Sequence, residues 1–161
     1  MALGNNIIIS SDPKGVFLEG IISGTPKPGT VMQVKAATEK TSGRFTWEVY
    51  NPDADGNQRL IAVLLPDSLR GVAATTAYTT GTRCFLYCPA AGEELNMLVK
   101  SISGTSDSWA IGDLLIVDDG TGKLIATTGS PESEPFIMLE TVAELTDTGA
   151  DTLRHCMYTG H

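Results

Sequence analysis

The stretch Leu114-Leu115-Ile116-Val117-Asp118-Asp119-Gly120-Thr121-Gly122-Lys123-Leu124-Ile125-Ala126-Thr127 decides the fold. An apolar run enters a turn and a second apolar run leaves it. The Asp-Gly pair supplies the positive-φ positions that a tight hairpin requires. An isolated hairpin is barely stable in water, so it needs more strands to pack against. The remaining chain supplies them. Gly and Pro recur at short intervals, Thr is abundant, and no long window carries a clean helical period.

Working outward, Val16–Ile22 and residues 30–35 read as strands, separated by Gly24-Thr25-Pro26-Lys27-Pro28-Gly29, which forbids regular structure. In Phe45-Thr46-Trp47-Glu48-Val49-Tyr50 the pattern alternates, placing Phe45, Trp47 and Val49 on one face. Residues 59–65 are almost continuously apolar, which suits a strand buried on both faces. Residues 66–76 leave room for a single helical turn. Arg83–Cys88, residues 95–102, 136–145 and 153–158 complete the strands. The expected architecture is all-β, a single-domain β-sandwich or β-barrel (jelly-roll-like or tulip-like), with a short N-terminal arm at residues 1–14 and the β-rich domain at 15–161. No internal repeat is visible.

Of the 161 residues only 19% are charged, and the formal net charge is −8. The basic residues are scattered singly, so there is no footprint for nucleic acid or for an anionic membrane. No apolar run reaches the length of a spanning helix. The first residues lack a basic region and a long apolar region, so they do not read as a signal peptide. Three cysteines, Cys84, Cys88 and Cys156, point to a reducing compartment rather than to a disulfide framework.

Candidate chemistry is thin. Asn51-Pro52-Asp53-Ala54-Asp55-Gly56-Asn57 copies the start of a calcium loop, but its twelfth position is Ala62 and its flanks are strand-like, so it reads as an Asx-rich turn. Asp113, Asp118 and Asp119 read as turn residues around the hairpin rather than as a cation site. Cys84 and Cys88 are too far apart along one strand face for an easy disulfide, and they lack the second pair a zinc site needs. His155 and Cys156 are neighbours on a strand and point to opposite faces, which argues against a Cys–His dyad. The serine-hydrolase elbow and the phosphate-binding glycine motifs are absent. No catalytic residue, metal or cofactor is implied. Aromatic residues remain: Phe17, Trp47, Tyr50, Tyr78 and Trp109. Trp47 reads as core, whereas for Trp109 a rim or interface role and a core role are both open.

Four segments, taken in order, carry a resemblance. They are Leu18-Glu19-Gly20-Ile21-Ile22-Ser23-Gly24-Thr25-Pro26-Lys27-Pro28-Gly29-Thr30; Ala90-Ala91-Gly92-Glu93-Glu94-Leu95-Asn96; Ala110-Ile111-Gly112-Asp113-Leu114 running on to Asp118-Asp119-Gly120-Thr121-Gly122-Lys123-Leu124; and Glu134-Pro135-Phe136 with Leu139-Glu140. Together they resemble tailed-bacteriophage head decoration (capsid cement) proteins. The resemblance implies a structural virion protein, not an enzyme. Such a protein sits on the outer surface of an icosahedral capsid, made in the bacterial host cytoplasm. Its partners would be the major capsid protein, whose neighbouring subunits it bridges, and itself, as a homodimer or homotrimer. No contact residue carries over by position, but residues 1–14 would suit the arm, loose in the free protein, that some such proteins order on the capsid. Asn5, Asn6, Ile7, Ile8 and Ile9 would add as a strand to a partner's sheet edge. Trp109 is a candidate contact on its own reading. The alternative is a β-sandwich module that binds carbohydrate or protein.

Overall fold

A computed structural model describes residues 6–35, 40–51, 60–100, 107–118, 120–126, 136–145 and 152–160. The strands are β1 (Val16–Ile22), β2 (Val31–Val34), β3 (Lys40–Thr41), β4 (Arg44–Val49), β5 (Ile61–Leu64), β6 (Arg83–Cys88), β7 (Glu94–Val99), β8 (Asp107–Trp109), β9 (Leu114–Val117), β10 (Leu124–Ala126), β11 (Phe136–Met138), β12 (Val142–Leu145) and β13 (Thr152–Tyr158). One short 3-10 turn at Ser68–Arg70 falls within residues 66–76, where the sequence leaves room for a helical turn. The all-β expectation holds, and the opening hairpin forms as read. Leu124 pairs with Val117 and Ile125 with Ile116, while the Asp118 carbonyl accepts the Gly122 N–H at 3.0 Å.

The strands close two rings rather than one. In the first, β1 pairs with β6, β6 with β5, β5 with β2 and β2 with β4, all antiparallel, and β4 returns parallel to β1. In the second, β7 pairs with β13, β13 with β11, β11 with β9 and β9 with β10, all antiparallel, and β10 returns parallel to β7. The connectivity is the same in both: first strand to fifth, fifth to fourth, fourth to second, second to third, third to first. β3 extends β4 outside the first ring, and β8 and β12 form a separate ribbon.

The likeness extends to single hydrogen bonds. Ser23 N–H donates to the Trp47 carbonyl in barrel 1, and Lys100 N–H to the Leu124 carbonyl in barrel 2. Gly29 N–H donates to Leu64 and Gly112 N–H to Met138; Leu64 N–H donates to Thr30 and Met138 N–H to Asp113. Both Gly29 and Gly112 take positive φ, 86° and 96°. The chain is therefore a tandem pair of five-stranded barrels. This corrects the reading of a chain without repeats. The barrels share backbone bonds and turn geometry, while their side chains have diverged.

One interior is filled by Ile22, Met32, Trp47, Ala62, Leu64, Tyr78, Cys84 and Leu86. The other is filled from β7, β9, β10, β11 and β13, and also takes Val31, Val63 and Tyr87 from the outer face of barrel 1. The two barrels thus share a core, which explains the continuous apolar run in β5. Ala62 and Leu64 face into barrel 1, and Val63 faces barrel 2. Phe45 alternates with Trp47 as expected but is not covered. It lies where β4 leaves the ring towards β3, and stays 44% exposed.

Candidate binding surface

Residues 6–10 of the expected arm lie along β7. Ile8 bridges Leu95 in antiparallel fashion, Asn96 N–H donates to the Ile7 carbonyl at 2.7 Å, and Ile9 N–H donates to the Glu94 carbonyl at 3.0 Å. The Asn96 side chain donates to the Asn6 carbonyl at 2.6 Å, and Glu94 N–H donates to Ser10 Oγ. Ile7 is buried in the barrel-2 core, while Asn6 is exposed. This departs from a loose arm for a physical reason: β7 has an edge here that β10 does not reach, and a branched apolar side chain seals the core beneath it. Asn5 lies outside the described residues.

Trp109 is 2% exposed and packs with Val142 in the barrel-2 core, so β8 and β12 cover that barrel with an indole. Trp47 and Tyr78 are also buried. The rim placement of Trp109 is thereby corrected, and a stacking platform built on either tryptophan does not form on this chain. Exposed apolar groups lie elsewhere: Val16 and Phe17 at the start of β1, Leu60 before β5, Leu69 on the 3-10 turn and Ile111 before β9.

A group that sequence reading missed is Glu93. It sits 5% exposed in the connection between the barrels. Its carboxylate accepts from the Tyr87 hydroxyl at 2.6 Å, from Ala90 N–H at 2.6 Å, and from the backbone N–H groups of Lys14 and Gly15. Gly15 N–H also donates to the Tyr87 oxygen at 2.8 Å. Burial pushes the Glu93 pKa up, but the hydrogen bonds from Tyr87, Ala90, Lys14 and Gly15 outweigh it and hold the carboxyl below its usual range. The function is structural: one side chain ties the end of the N-terminal segment, β6 and the inter-barrel turn together. In the sequence Ala90-Ala91-Gly92-Glu93-Glu94 reads as an ordinary polar turn, and nothing in it marks which glutamate turns inward.

Glu93→Gln is expected to cost about 2 kcal/mol at neutral pH, the scale of losing charge-assisted bonds. Because the folded-state pKa is depressed, the contribution is present above the ordinary carboxyl value of 4.5 and fades as pH falls through the lower folded value. Urea unfolding should therefore show a gap between wild type and variant at pH 7 that narrows towards pH 3. A gap of equal size at both would remove the charge from this account.

The remaining sequence candidates do not converge. His155 points outward, with Nε2 at 2.8 Å from a Glu94 oxygen, while Cys156 is buried on the opposite side. Burial pushes the Cys84 thiol up to about 12 and that of Cys156 up as well, so both stay protonated and unreactive at neutral pH. All three cysteines are free, and Cys88 donates to the Ile61 carbonyl. Asp118 is taken by the Thr121 hydroxyl and by Lys100 at 2.7 Å, and Asp113 accepts from Ala110 N–H at 2.7 Å, so each carboxylate closes its own turn. Asp119 and the calcium-like segment at 52–57 lie outside the described residues. Among the described residues no three His, Cys, Asp or Glu groups converge as metal ligands.

No family model matches the chain, and no curated protein matches it. Among solved structures, it is similar to the head fiber gp8.5 N base of bacteriophage phi29, with a TM-score of 0.52 at 10% identity, covering 90% of this chain and 94% of that one. The chain has the fold of that head fiber base. The likeness extends over nearly the full length, so it takes in both barrels and their shared core. It is a likeness of backbone, with only 10% of residues identical.

Proposed function

We infer that the chain is a structural, non-enzymatic protein of a phage virion that binds the outside of the icosahedral head. In this reading it stabilises the shell by bridging neighbouring major capsid subunits, as a homodimer or homotrimer at a local symmetry axis. The observation that carries the reading is the extent of the fold likeness, 90% of this chain against a head fiber base. The sequence resemblance to head decoration proteins points the same way. The net charge of −8 suits an outer surface and would be repelled by packed phosphates inside. Many weakly held copies gain by multivalency on a shell.

Shell contact falls to exposed groups such as Phe17, Leu69 and Ile111. The arm of residues 1–14 joins that contact only if residues 6–10 leave β7, because Ile7 and Trp109 act from inside the barrel. Sedimentation with expanded, empty heads tests the function. The protein is expected to pellet with the heads and to raise their resistance to heat. Protein that stays in the supernatant and leaves head melting unchanged would refute the capsid role.

A further inference from the structure

The duplication makes each barrel a control for the other, and one difference between them is informative. The backbone bonds described above align Ser23 with Lys100 and Trp47 with Leu124. The same register places Leu18 of β1 opposite Leu86, and its counterpart Leu95 of β7 opposite Cys156. Phe17 and Glu19 are then the counterparts of Glu94 and Asn96. In barrel 2 the Glu94 carbonyl and the Asn96 N–H are taken by the extended segment Ile7-Ile8-Ile9. In barrel 1, β4 pairs with β1 only at Ile21 and Ile22; the Arg44 side chain of β4 reaches Glu19, but among the described residues no backbone group pairs with Phe17 or Glu19 on that side.

Around this edge Val16 and Phe17 are each 59% exposed, and Leu18 is half-buried, whereas its counterpart Leu95 is fully buried beneath the Ile7–Ile9 segment. Arg83 and Arg44 both pair with the single carboxylate of Glu19, which leaves the rim with one positive charge in excess.

We propose that the edge of β1 at Phe17–Glu19 is a strand-acceptor site for an extended segment of a partner polypeptide, with a branched apolar residue over Leu18 and an acidic residue near Arg44 and Arg83. The segment runs antiparallel to β1. One of its N–H groups donates to the Phe17 carbonyl, and one of its carbonyls accepts from Glu19 N–H, as Ile9 and Ile7 do on β7. Backbone pairing supplies affinity, and the apolar residue over Leu18 supplies selectivity. This rests on the paired barrels of the chain itself and not on the virion reading.

The probe is a synthetic peptide with the sequence of residues 4–12, GNNIIISSD, added to the isotope-labelled full chain. The expected result is saturable movement of the Phe17 and Glu19 amide signals, with those of Glu94 and Asn96 unmoved. Methylating the peptide nitrogen of its third isoleucine, the counterpart of Ile9, should weaken binding at least tenfold. Glu19→Pro, which removes an outward N–H at an edge where proline is tolerated, should do the same. Three results would overturn the proposal. One is no movement at Phe17 and Glu19 with millimolar peptide. Another is movement confined to Glu94 and Asn96, meaning exchange with the chain's own segment. The third is protection of both amides without peptide together with a doubled mass in light scattering, which would assign the edge to a second copy.

Discussion

Gly20→Ala is expected to cost about 3 kcal/mol, the upper end of the range for overpacking a filled core. A Cβ at Gly20 would fall well inside van der Waals distance of the Trp47 indole and 2.9 Å from the Phe45 carbonyl oxygen. Trp47 is 1% exposed in the centre of barrel 1, so the ring has nowhere to move without opening the wall. Barrel 2 solves the same packing problem with other volumes. At the positions equivalent to Gly20 and Trp47 it carries Met97 and Leu124, both fully buried. The small-plus-large pair in one barrel replaces two medium residues in the other. Trp47→Leu should therefore offset much of the Gly20→Ala loss when the two are combined. A urea-unfolding double-mutant cycle reads this as a favourable coupling above about 1 kcal/mol. Additive losses, or a Gly20→Ala cost under about 1 kcal/mol, would show that the indole yields freely.

Gly122→Ala is the second large effect, expected near 3 kcal/mol. Gly122 takes φ of 62°, where a Cβ costs roughly 1–2 kcal/mol. Its carbonyl accepts the Val31 N–H at 2.8 Å, tying the barrel-2 hairpin to the start of β2. A Cβ there would press on the Val31 carbonyl oxygen and lie 2.7 Å from Thr30 Cγ2 and 3.0 Å from Val49 Cγ1. The second cost is thus the backbone bond between barrels, worth about 1–3 kcal/mol if left unmade. Gly120→Ala separates the terms. It has φ of 73° and open space around its Cβ, so only the backbone term of about 1 kcal/mol applies. Thermal melts of the two variants should differ clearly, with faster hydrogen exchange at Val31 in Gly122→Ala alone. Equal melts would mean the inter-barrel bond carries no weight.

Local chemistry was legible and long-range closure was not. Asp118-Asp119-Gly120 announced its hairpin because a tight turn selects its own residues. Residues 59–65 announced burial on both faces, but not that the second face belongs to another barrel. The parallel returns of β4 to β1 and of β10 to β7 leave no sequence mark, since they depend on tertiary packing rather than on a turn. The duplication survives in sequence as little more than Gly29-Thr30-Val31 and Gly112-Asp113-Leu114, a glycine at positive φ before a strand, which is too short to stand out. Ile7-Ile8-Ile9 was read as a strand for a partner's sheet edge; that it lies on the chain's own β7 left no mark in the sequence. Glu93 and Trp109 were misjudged or missed because burial of a polar or amphipathic side chain is decided by what folds over it.

The sequential arrangement of the barrels has a consequence for synthesis on the ribosome. Barrel 1 is complete in sequence at Cys88, while barrel 2 closes only with β13, which ends at Tyr158. At ~5–20 residues per second that interval is roughly 4–14 s. Until barrel 2 closes, a finished barrel holds Val31, Val63 and Tyr87 on its outer face without their full cover. The first strand of barrel 2 to emerge is β7, and residues 6–10, made long before, are its nearest available partner. The N-terminal segment is thus placed to act as a nascent-chain guard, capping the new edge before the strands that will complete the cover of barrel 1 exist.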